Sequence, residues 1–394
     1  MRANPWFMLA ILFVCRTATG YVFQSIGSSG PAIAIALAID FALIGTLIGL
    51  FKMPGIILSL PSGMLSRYCS DKSLIGIGLA TMAIGCLITG VSNTYELAAT
   101  GRLITGIGAT LTNLFFTKVT LDWFAGTKGL PFAMAMLVNS WPLGIALGLM
   151  TQGALTVIWG WQGAMLFTAA IALLATVVMF GLYREAPNRT LPPAAGWDAL
   201  KALSQREWIG MILIANVWSF LNVGLAIVFG FAPALLNTLG YELSAAGQLV
   251  GIGTWVGIIA IPLGGAFVTR FCNARSFIAV CTLASAFVYA ALAYHPTLLM
   301  LYFAFGLAAF AAAGPVMAQL SVLVSEANRA AGMGVFYTIY YLSMGLMPAL
   351  AGAFFETYGP SSPLFFASAL MALSLIAQLI LFAMAPPERV RNSA

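Results

Sequence analysis

The sequence predicts an all-α polytopic membrane protein with 12 transmembrane helices in two pseudo-symmetric six-helix bundles. Of the 394 residues, 61% are hydrophobic and only 7% are charged, whereas soluble domains are about one quarter charged. Apolar stretches of roughly 20 residues, long enough to cross a bilayer, recur twelve times. A polar, proline-containing segment near the centre separates the first six stretches from the last six.

The predicted spans are joined by short links, apart from the central one. They cover residues 6–27, 41–65, 74–92, 97–120, 130–152, 163–183, 208–235, 244–268, 276–294, 297–322, 332–355 and 362–385. These spans define an N-terminal six-helix bundle over 1–183 and a C-terminal six-helix bundle over 208–386. A central cytoplasmic loop over 184–207 joins them, and a cytoplasmic tail covers 387–394.

The positions of the basic residues agree with this topology. If the N-terminus is cytoplasmic, 14 of the 17 Lys and Arg residues lie on the cytoplasmic side, as the positive-inside rule requires. The other three, Arg16, Lys52 and Arg102, lie inside spans. We therefore expect both termini in the cytoplasm, and the net charge of +6 needs no nucleic-acid partner.

The two halves look like repeats. The segment Arg67-Tyr-Cys-Ser-Asp-Lys-Ser73 follows the second span, and Arg270-Phe-Cys-Asn-Ala-Arg-Ser276 follows the eighth. Pro61 and Pro262 precede these segments at similar offsets. A duplicated six-helix unit places the substrate between the halves, near the middle of the bilayer.

Arg16 and Lys52 are the first candidates for the substrate site, because a cation inside a span is costly and must face protein or water. No Asp or Glu lies within a predicted span. Two buried cations without a fixed counter-charge suggest that the counter-charge is the solute. Arg offers a planar bidentate fork and Lys a point charge, which suits a small carboxylate or other oxyanion.

Amide and aromatic side chains near mid-span complete the predicted site. They are Gln24, Asn113, Asn139, Trp141, Trp218, Asn222, Tyr337, Tyr340 and Tyr341. Each also has a structural interpretation, as packing or as hydrogen bonds between helices, and Arg16 could pair with backbone carbonyls. We expect gating contacts at helix ends from a second group, which consists of Arg67, Asp71, Lys72, Arg102, Arg270 and Arg275.

The sequence lacks the residues that other classes of function require. The five cysteines have no metal-binding spacing, the single histidine lies in a loop, and the sequence has no phosphate-binding loop of the Gly-x-x-x-x-Gly-Lys-Ser/Thr type. We therefore expect no metal, no cofactor, no direct ATP coupling and no enzyme. With no intramembrane carboxylate, a coupling proton would travel on the anion or through a Tyr–water network.

Several partial motifs resemble the major facilitator superfamily. They are Gly63-Met-Leu-Ser-Arg67-Tyr-Cys-Ser-Asp71-Lys72, Arg102-Leu-Ile-Thr-Gly106-Ile-Gly108, Trp141-Pro142-Leu-Gly144-Ile-Ala-Leu-Gly148 and Trp159-Gly-Trp161-Gln162. Arg67 stands where that family usually has an acid, so Asp71 would have to take over its gating role. The resemblance covers the whole chain and implies a transporter fold.

Within that superfamily, Arg16 followed by Gly30-Pro31 resembles the cyanate permease and nitroimidazole-transporter group. The resemblance implies a small anionic or polar solute carried across a bacterial inner membrane by a monomer. The alternative on the same fold is efflux of hydrophobic or neutral drugs. The direction of transport and any coupling ion or counter-solute stay open.

Overall fold

A computed structural model describes residues 4–65, 67–187, 189, 203–325 and 328–384. These residues form 13 helices and no strand. The helices are α1 (Pro5–Leu37), α2 (Phe41–Leu50), α3 (Gly55–Leu65), α4 (Asp71–Gly90), α5 (Tyr95–Phe124), α6 (Leu130–Leu182), α7 (Gln205–Thr238), α8 (Leu243–Phe271), α9 (Ala274–Tyr294), α10 (Leu299–Ala311), α11 (Ala313–Leu323), α12 (Arg329–Tyr358) and α13 (Ser362–Met384). Most of the central loop and all of the C-terminal tail lie outside the described residues.

These helices confirm the predicted fold class. Ten segments are long and apolar enough to cross a membrane. One of them, α6, is two spans joined at Gly160, whose φ of 71° and ψ of 168° interrupt the helix. Counting α6 twice and adding α5, which is less apolar, gives the 12 predicted crossings. A positive φ is cheap for glycine, so the chain turns there without a loop.

Several predicted boundaries were wrong. Helix α1 continues ten residues beyond the predicted end at 27, so Pro31 lies inside it, as Pro233 lies inside α7. The helix can continue because its small polar residues find partners: Ser29 is fully buried and bonds Thr156 at 2.8 Å. The second predicted span is confirmed as one apolar segment over Phe41–Ser59, but turns over 51–54 divide it into α2 and α3.

The repeated loop segments have equivalent local structure. Ser70 caps α4 by accepting a hydrogen bond from the Ser73 backbone, and Asn273 caps α9 by accepting one from the Arg275 backbone. Polar side chains at this position satisfy N–H groups that the helix leaves unpaired. Both helices therefore start in the same register, 203 residues apart.

The two ends of the molecule carry opposite charges. We call the end with Arg67, Lys72, Lys118, Arg184, Arg189, Arg270 and Arg275 the basic end. The opposite, acidic end carries Asp40, Glu96, Glu242 and Glu356. The two halves meet most extensively through four helix pairs, which are α1 with α7, α2 with α12, α3 with α12, and α6 with α8.

Close backbone contacts join the halves from the acidic end to mid-molecule. We call these contacts the seam. A Cβ on Gly45 would overlap the Pro348 carbonyl oxygen, and a Cβ on Gly352 would overlap that of Phe41. The Phe41 backbone N–H also donates to Glu356 Oε1 at 2.7 Å. Small residues let helices approach this closely in a membrane.

The contact between the halves is less extensive towards the basic end, where α3 packs on α12 less than α2 does. Ile57 on α3, Phe132 on α6 and Leu263 on α8 are all more than half exposed. A Cβ on Gly265 would meet nothing within 4 Å. The two halves are thus in closer contact at the acidic end than at the basic end.

Candidate functional site

Lys52 lies in the break between α2 and α3. Its backbone N–H donates to the Gly49 carbonyl at 2.8 Å, and Pro54, which has no N–H, follows two residues later. Because proline lacks this donor and its ring clashes with the preceding turn, it disrupts a helix. The break holds the Lys52 side chain in the middle of the molecule, where it is only 7% exposed.

Four aromatic rings surround the Lys52 ammonium. Its Nζ lies 4.4 Å from the centroid of Trp141 on α6, 5.5 Å from Phe51, and 5.7 Å from both Phe23 on α1 and Tyr340 on α12. Aromatic faces attract a cation within about 6 Å, more strongly when water is excluded. We call these four rings the aromatic box. Three of them come from the N-terminal half and Tyr340 comes from the C-terminal half.

Arg16 lies beside this box. Its Nη1 donates to the Leu137 carbonyl on α6, which is the type of partner that the structural interpretation predicted. Its Nε, however, is buried without a hydrogen-bond partner. Arg16 is also close enough to Lys52, Tyr337 and Tyr340 to interact electrostatically with them. One donor of the guanidinium is therefore available to a ligand.

Arg102 is fully buried, and each nitrogen of its guanidinium donates to a backbone oxygen. Nε donates to Leu47 O at 3.1 Å, Nη1 to Val22 O at 3.0 Å, and Nη2 to Phe23 O at 2.8 Å. The guanidinium carbon lies 4.8 Å from the centroid of the Phe51 ring. Arg102 thus joins α5 to α1 and α2 and fixes two rings of the box. Its predicted gating role stays a prediction.

Three tyrosines of α12 form the wall opposite Arg16. The Tyr340 and Tyr341 ring centroids are 5.1 Å apart, and Tyr337 lies 6.4 Å from Tyr340 and 6.1 Å from Tyr341. Tyr341 packs directly on Gly55 at the start of α3. Asn113 on α5 is close enough to the Tyr341 hydroxyl to bond to it. The site therefore spans both halves of the molecule.

The remaining predicted binding residues are less central. Gln24 Nε2 donates to the Phe229 carbonyl at 3.0 Å and so ties α1 to α7 within the seam. Asn222 Nδ2 donates to Trp218 O, one turn earlier on α7, and the Trp218 ring packs near Phe336, 6.4 Å between centroids. Asn139 Oδ1 is buried without a partner. The structure does not bring Gln24, Trp218 or Asn222 against Lys52.

No acidic side chain balances the two cations among the residues that the structure describes. Every described Asp and Glu lies at or beyond a helix end. They are Asp40, Asp71, Glu96, Asp122, Glu185, Glu207, Glu242 and Glu356. The prediction of two buried cations without a protein counter-charge holds for this part of the chain.

A second charged cluster lies at the basic end, within the N-terminal half. Asp71 is 1% exposed and its Oδ2 lies 2.6 Å from Lys118 Nζ and 3.0 Å from Arg189 Nε. Lys118 also bonds Asp122 at 2.9 Å. These partners were missing from the predicted site, although the four-residue spacing of Lys118 and Asp122 is a helix-pair signal. The cluster joins α4, α5 and the chain after α6.

The other predicted gating residues make local contacts. The Lys72 backbone N–H donates to Glu185 Oε1 at 2.7 Å. Arg270 lies over the Phe271 ring at 5.6 Å, and Arg275 over the Phe382 ring at 5.9 Å. Arg67 is exposed. A change in these contacts during gating stays a prediction.

Comparisons with known proteins agree with this architecture. The family model described as Major Facilitator Superfamily matches residues 12–271 and 219–394. No curated protein matches the sequence. A point mutant of the nucleoside transporter NupG superposes with a TM-score of 0.77 at 16% identity, covering 97% of this chain and 100% of that chain.

Two further solved structures have the same fold. A bacterial homologue of the human lysosomal transporter Spinster, inward-facing and occupied, gives a TM-score of 0.74 at 17% identity over 97% of both chains. A D-xylose–proton symporter gives 0.74 at 16% identity over 98% of both chains.

Proposed function

Because the chain belongs to the major facilitator superfamily, we propose that it is a secondary transporter of a small anion that works by alternating access. The observation that carries this proposal is the juxtaposition of Arg16 and Lys52 at mid-molecule with no carboxylate beside them in the described chain. An ion buried without a partner costs several kcal/mol. A bound anion would offset that cost.

The contacts of the two cations suggest how an anion would bind. Arg16 Nε is a buried donor without a partner, so it offers a hydrogen bond with a defined direction. Lys52 contributes charge without a fixed direction. The box behind Lys52 and the tyrosines of α12 exclude water, which strengthens electrostatic attraction. A compact carboxylate or inorganic oxyanion fits this arrangement.

The distribution of charge supports an orientation in the membrane. Lys and Arg in short loops favour the cytoplasm, so we place the basic end and both termini on the cytoplasmic side of a bacterial inner membrane. The seam at the acidic end then closes the outer side, and the less extensive packing of α3 on α12 leaves the inner side less tightly closed. The structure corresponds to an inward-facing state in this orientation.

A second candidate is efflux of a neutral or hydrophobic solute. Its support is the aromatic box itself, since Phe23, Phe51 and Trp141 present apolar surface. The fold does not choose between the candidates, because the nucleoside transporter and the D-xylose–proton symporter are only 16% identical to this chain and show the fold alone. The two unbalanced cations favour the anion.

A thermal-shift screen of purified protein against nitrate, cyanate, small carboxylates and nitroaromatics tests the proposal. Ligand at 100 times its Kd stabilises a protein by about 2.7 kcal/mol, so a binding anion raises the unfolding temperature. Arg16→Ala and Lys52→Ala should each abolish the shift and the uptake of that anion into proteoliposomes. Lys128→Ala, in an exposed loop, is the control. Wild-type uptake in both site variants would refute the anion site.

A further inference from the structure

The cations around the site differ in one chemical respect. Arg16 and Arg102 carry guanidinium groups, which stay protonated in proteins, whereas a lysine ammonium can release its proton and become neutral. Lys52 is therefore the member of this group whose charge can change during a transport cycle. Its charge depends on what surrounds its Nζ atom.

The surroundings of Lys52 provide no anion on any element packed against it in the described chain. Helix α1 contributes Arg16 and the Phe23 ring, α5 contributes Arg102, and α6 contributes the Trp141 ring. Helix α12 contributes three neutral phenols, Tyr337, Tyr340 and Tyr341. Two like charges thus lie near Lys52, and only aromatic faces stabilise its own positive charge.

An anion in the site would change this balance. It would lie between Arg16 and Lys52 and favour the charged ammonium, because an opposite charge within a few ångströms stabilises the ionised form. When the site is empty, burial and the two guanidiniums favour the neutral amine. Binding of the anion and binding of the proton at Nζ therefore support each other.

We propose that Lys52 is the proton-coupling residue of the transporter, so that one proton crosses the membrane with each anion. The inference rests on the proposed anion site. On the loading side, the lone pair of Nζ takes a proton from water and the anion binds to the ammonium without a covalent bond. On the other side, the anion leaves, Nζ returns the proton to water, and the neutral amine remains. The net movement carries no charge.

The test measures proton uptake by purified wild-type protein in weakly buffered detergent solution when nitrate is added, with benzoate as a larger probe. A pH-indicator dye reports the protons, and the thermal shift reports binding. Neither probe takes up a proton itself above about pH 6, since carboxylic acids ionise near pH 4. We expect up to one proton per anion bound. Anion affinity should fall about tenfold per pH unit once the empty site holds neutral Lys52.

The Lys52→Arg variant keeps the positive charge but cannot titrate, because a guanidinium does not release its proton. This variant should bind the anion without proton uptake, and a pH gradient should no longer drive accumulation in proteoliposomes. Lys128→Arg is the matched control and should behave as wild type. If Lys52→Arg does not fold, the wild-type proton count still decides.

The outcomes separate the two proposals. If the wild type binds nitrate or benzoate with no proton uptake between pH 5.5 and 9, or if Lys52→Arg takes up the same number of protons, Lys52 is not the coupling residue and the anion site stands. If neither probe nor any other small anion binds at any pH, the anion site itself is wrong, and the coupling inference fails with it.

Discussion

The Lys52 ammonium lies 4.4 Å from the centre of the Trp141 ring, although the two residues belong to different spans of the N-terminal half. The contact exists because the chain leaves helical geometry over 51–54 and turns Lys52 inwards. Trp is the strongest aromatic partner for a cation. This pair is therefore the main contact that stabilises Lys52 whenever it is protonated.

Trp141→Leu should lower the stability of the protein at a pH that keeps Lys52 protonated, because it removes this face from the ammonium. The coupling between Trp141→Leu and Lys52→Met in a double-mutant cycle should be about 1–2 kcal/mol. Reversible unfolding in mixed micelles measures it. Trp218→Leu, on α7, is the control and should be additive with Lys52→Met. Additive behaviour of Trp141→Leu would contradict the contact.

Arg102→Lys should destabilise the N-terminal half although it keeps the charge. An ammonium cannot reach all three carbonyls that Arg102 bonds, on Leu47, Val22 and Phe23. A hydrogen bond to a charged group contributes about 1.5–3 kcal/mol, so the loss of one or two of the three should cost about 2–5 kcal/mol in the same unfolding assay. Arg270→Lys, at an exposed position, should change stability by less than about 0.5 kcal/mol. Equal effects of the two changes would contradict this role.

Gly45→Ala should shift the protein away from the state described here. The added Cβ would overlap the Pro348 carbonyl, which is backbone and cannot move aside without parting α2 from α12. Distances between spin labels at the acidic end should lengthen. Gly181→Ala, where a Cβ would meet nothing within 4 Å, is the matched control. If the distances between the spin labels are unchanged in Gly45→Ala, the seam accommodates the added methyl group by a local shift.

Asp71→Asn should loosen the basic end of the N-terminal half. The carboxylate is buried between Lys118 and Arg189, and removing one partner of a buried pair costs about 3–5 kcal/mol. The side chains of Lys118 and Arg189 are 14% and 28% exposed, so the loss should fall below that range, at about 2–3 kcal/mol. Glu242→Gln is the control, since Glu242 is exposed and forms no side-chain cap. A loss equal to that of Glu242→Gln would contradict the role of Asp71.

The number and order of the spans could be predicted because the bilayer imposes a fixed apolar length on every crossing. Helix ends and breaks could not, because they depend on local partners. The residues Ser28 to Pro31 look like a link in the sequence, yet they stay helical where buried polar partners are at hand. The break at 51–54 has Pro54 as a signal, but Pro31 has the same signal and breaks nothing.

The charged members of the candidate site could be predicted from the sequence, as could Trp141 and Tyr340, but the rest of the aromatic box could not. Arg16 and Lys52 stand out because a cation within an apolar segment is energetically costly and so indicates a specific role. Phe51 has no such signal, since any phenylalanine in an apolar run could face lipid. Amides are equally ambiguous: Asn222 bonds within its own helix and Gln24 across the seam, and sequence spacing cannot separate these partners.

The corner at Gly160 has a mechanical consequence. The limb 130–159 borders the opposite half, where Gly153 meets the Leu243 carbonyl, while the limb 161–182 packs on α4, where Phe180 meets Gly76. A single residue joins the two limbs, so no flexible loop separates them. We therefore expect that tilting of the first limb also tilts the second, so that the N-terminal half moves as one unit.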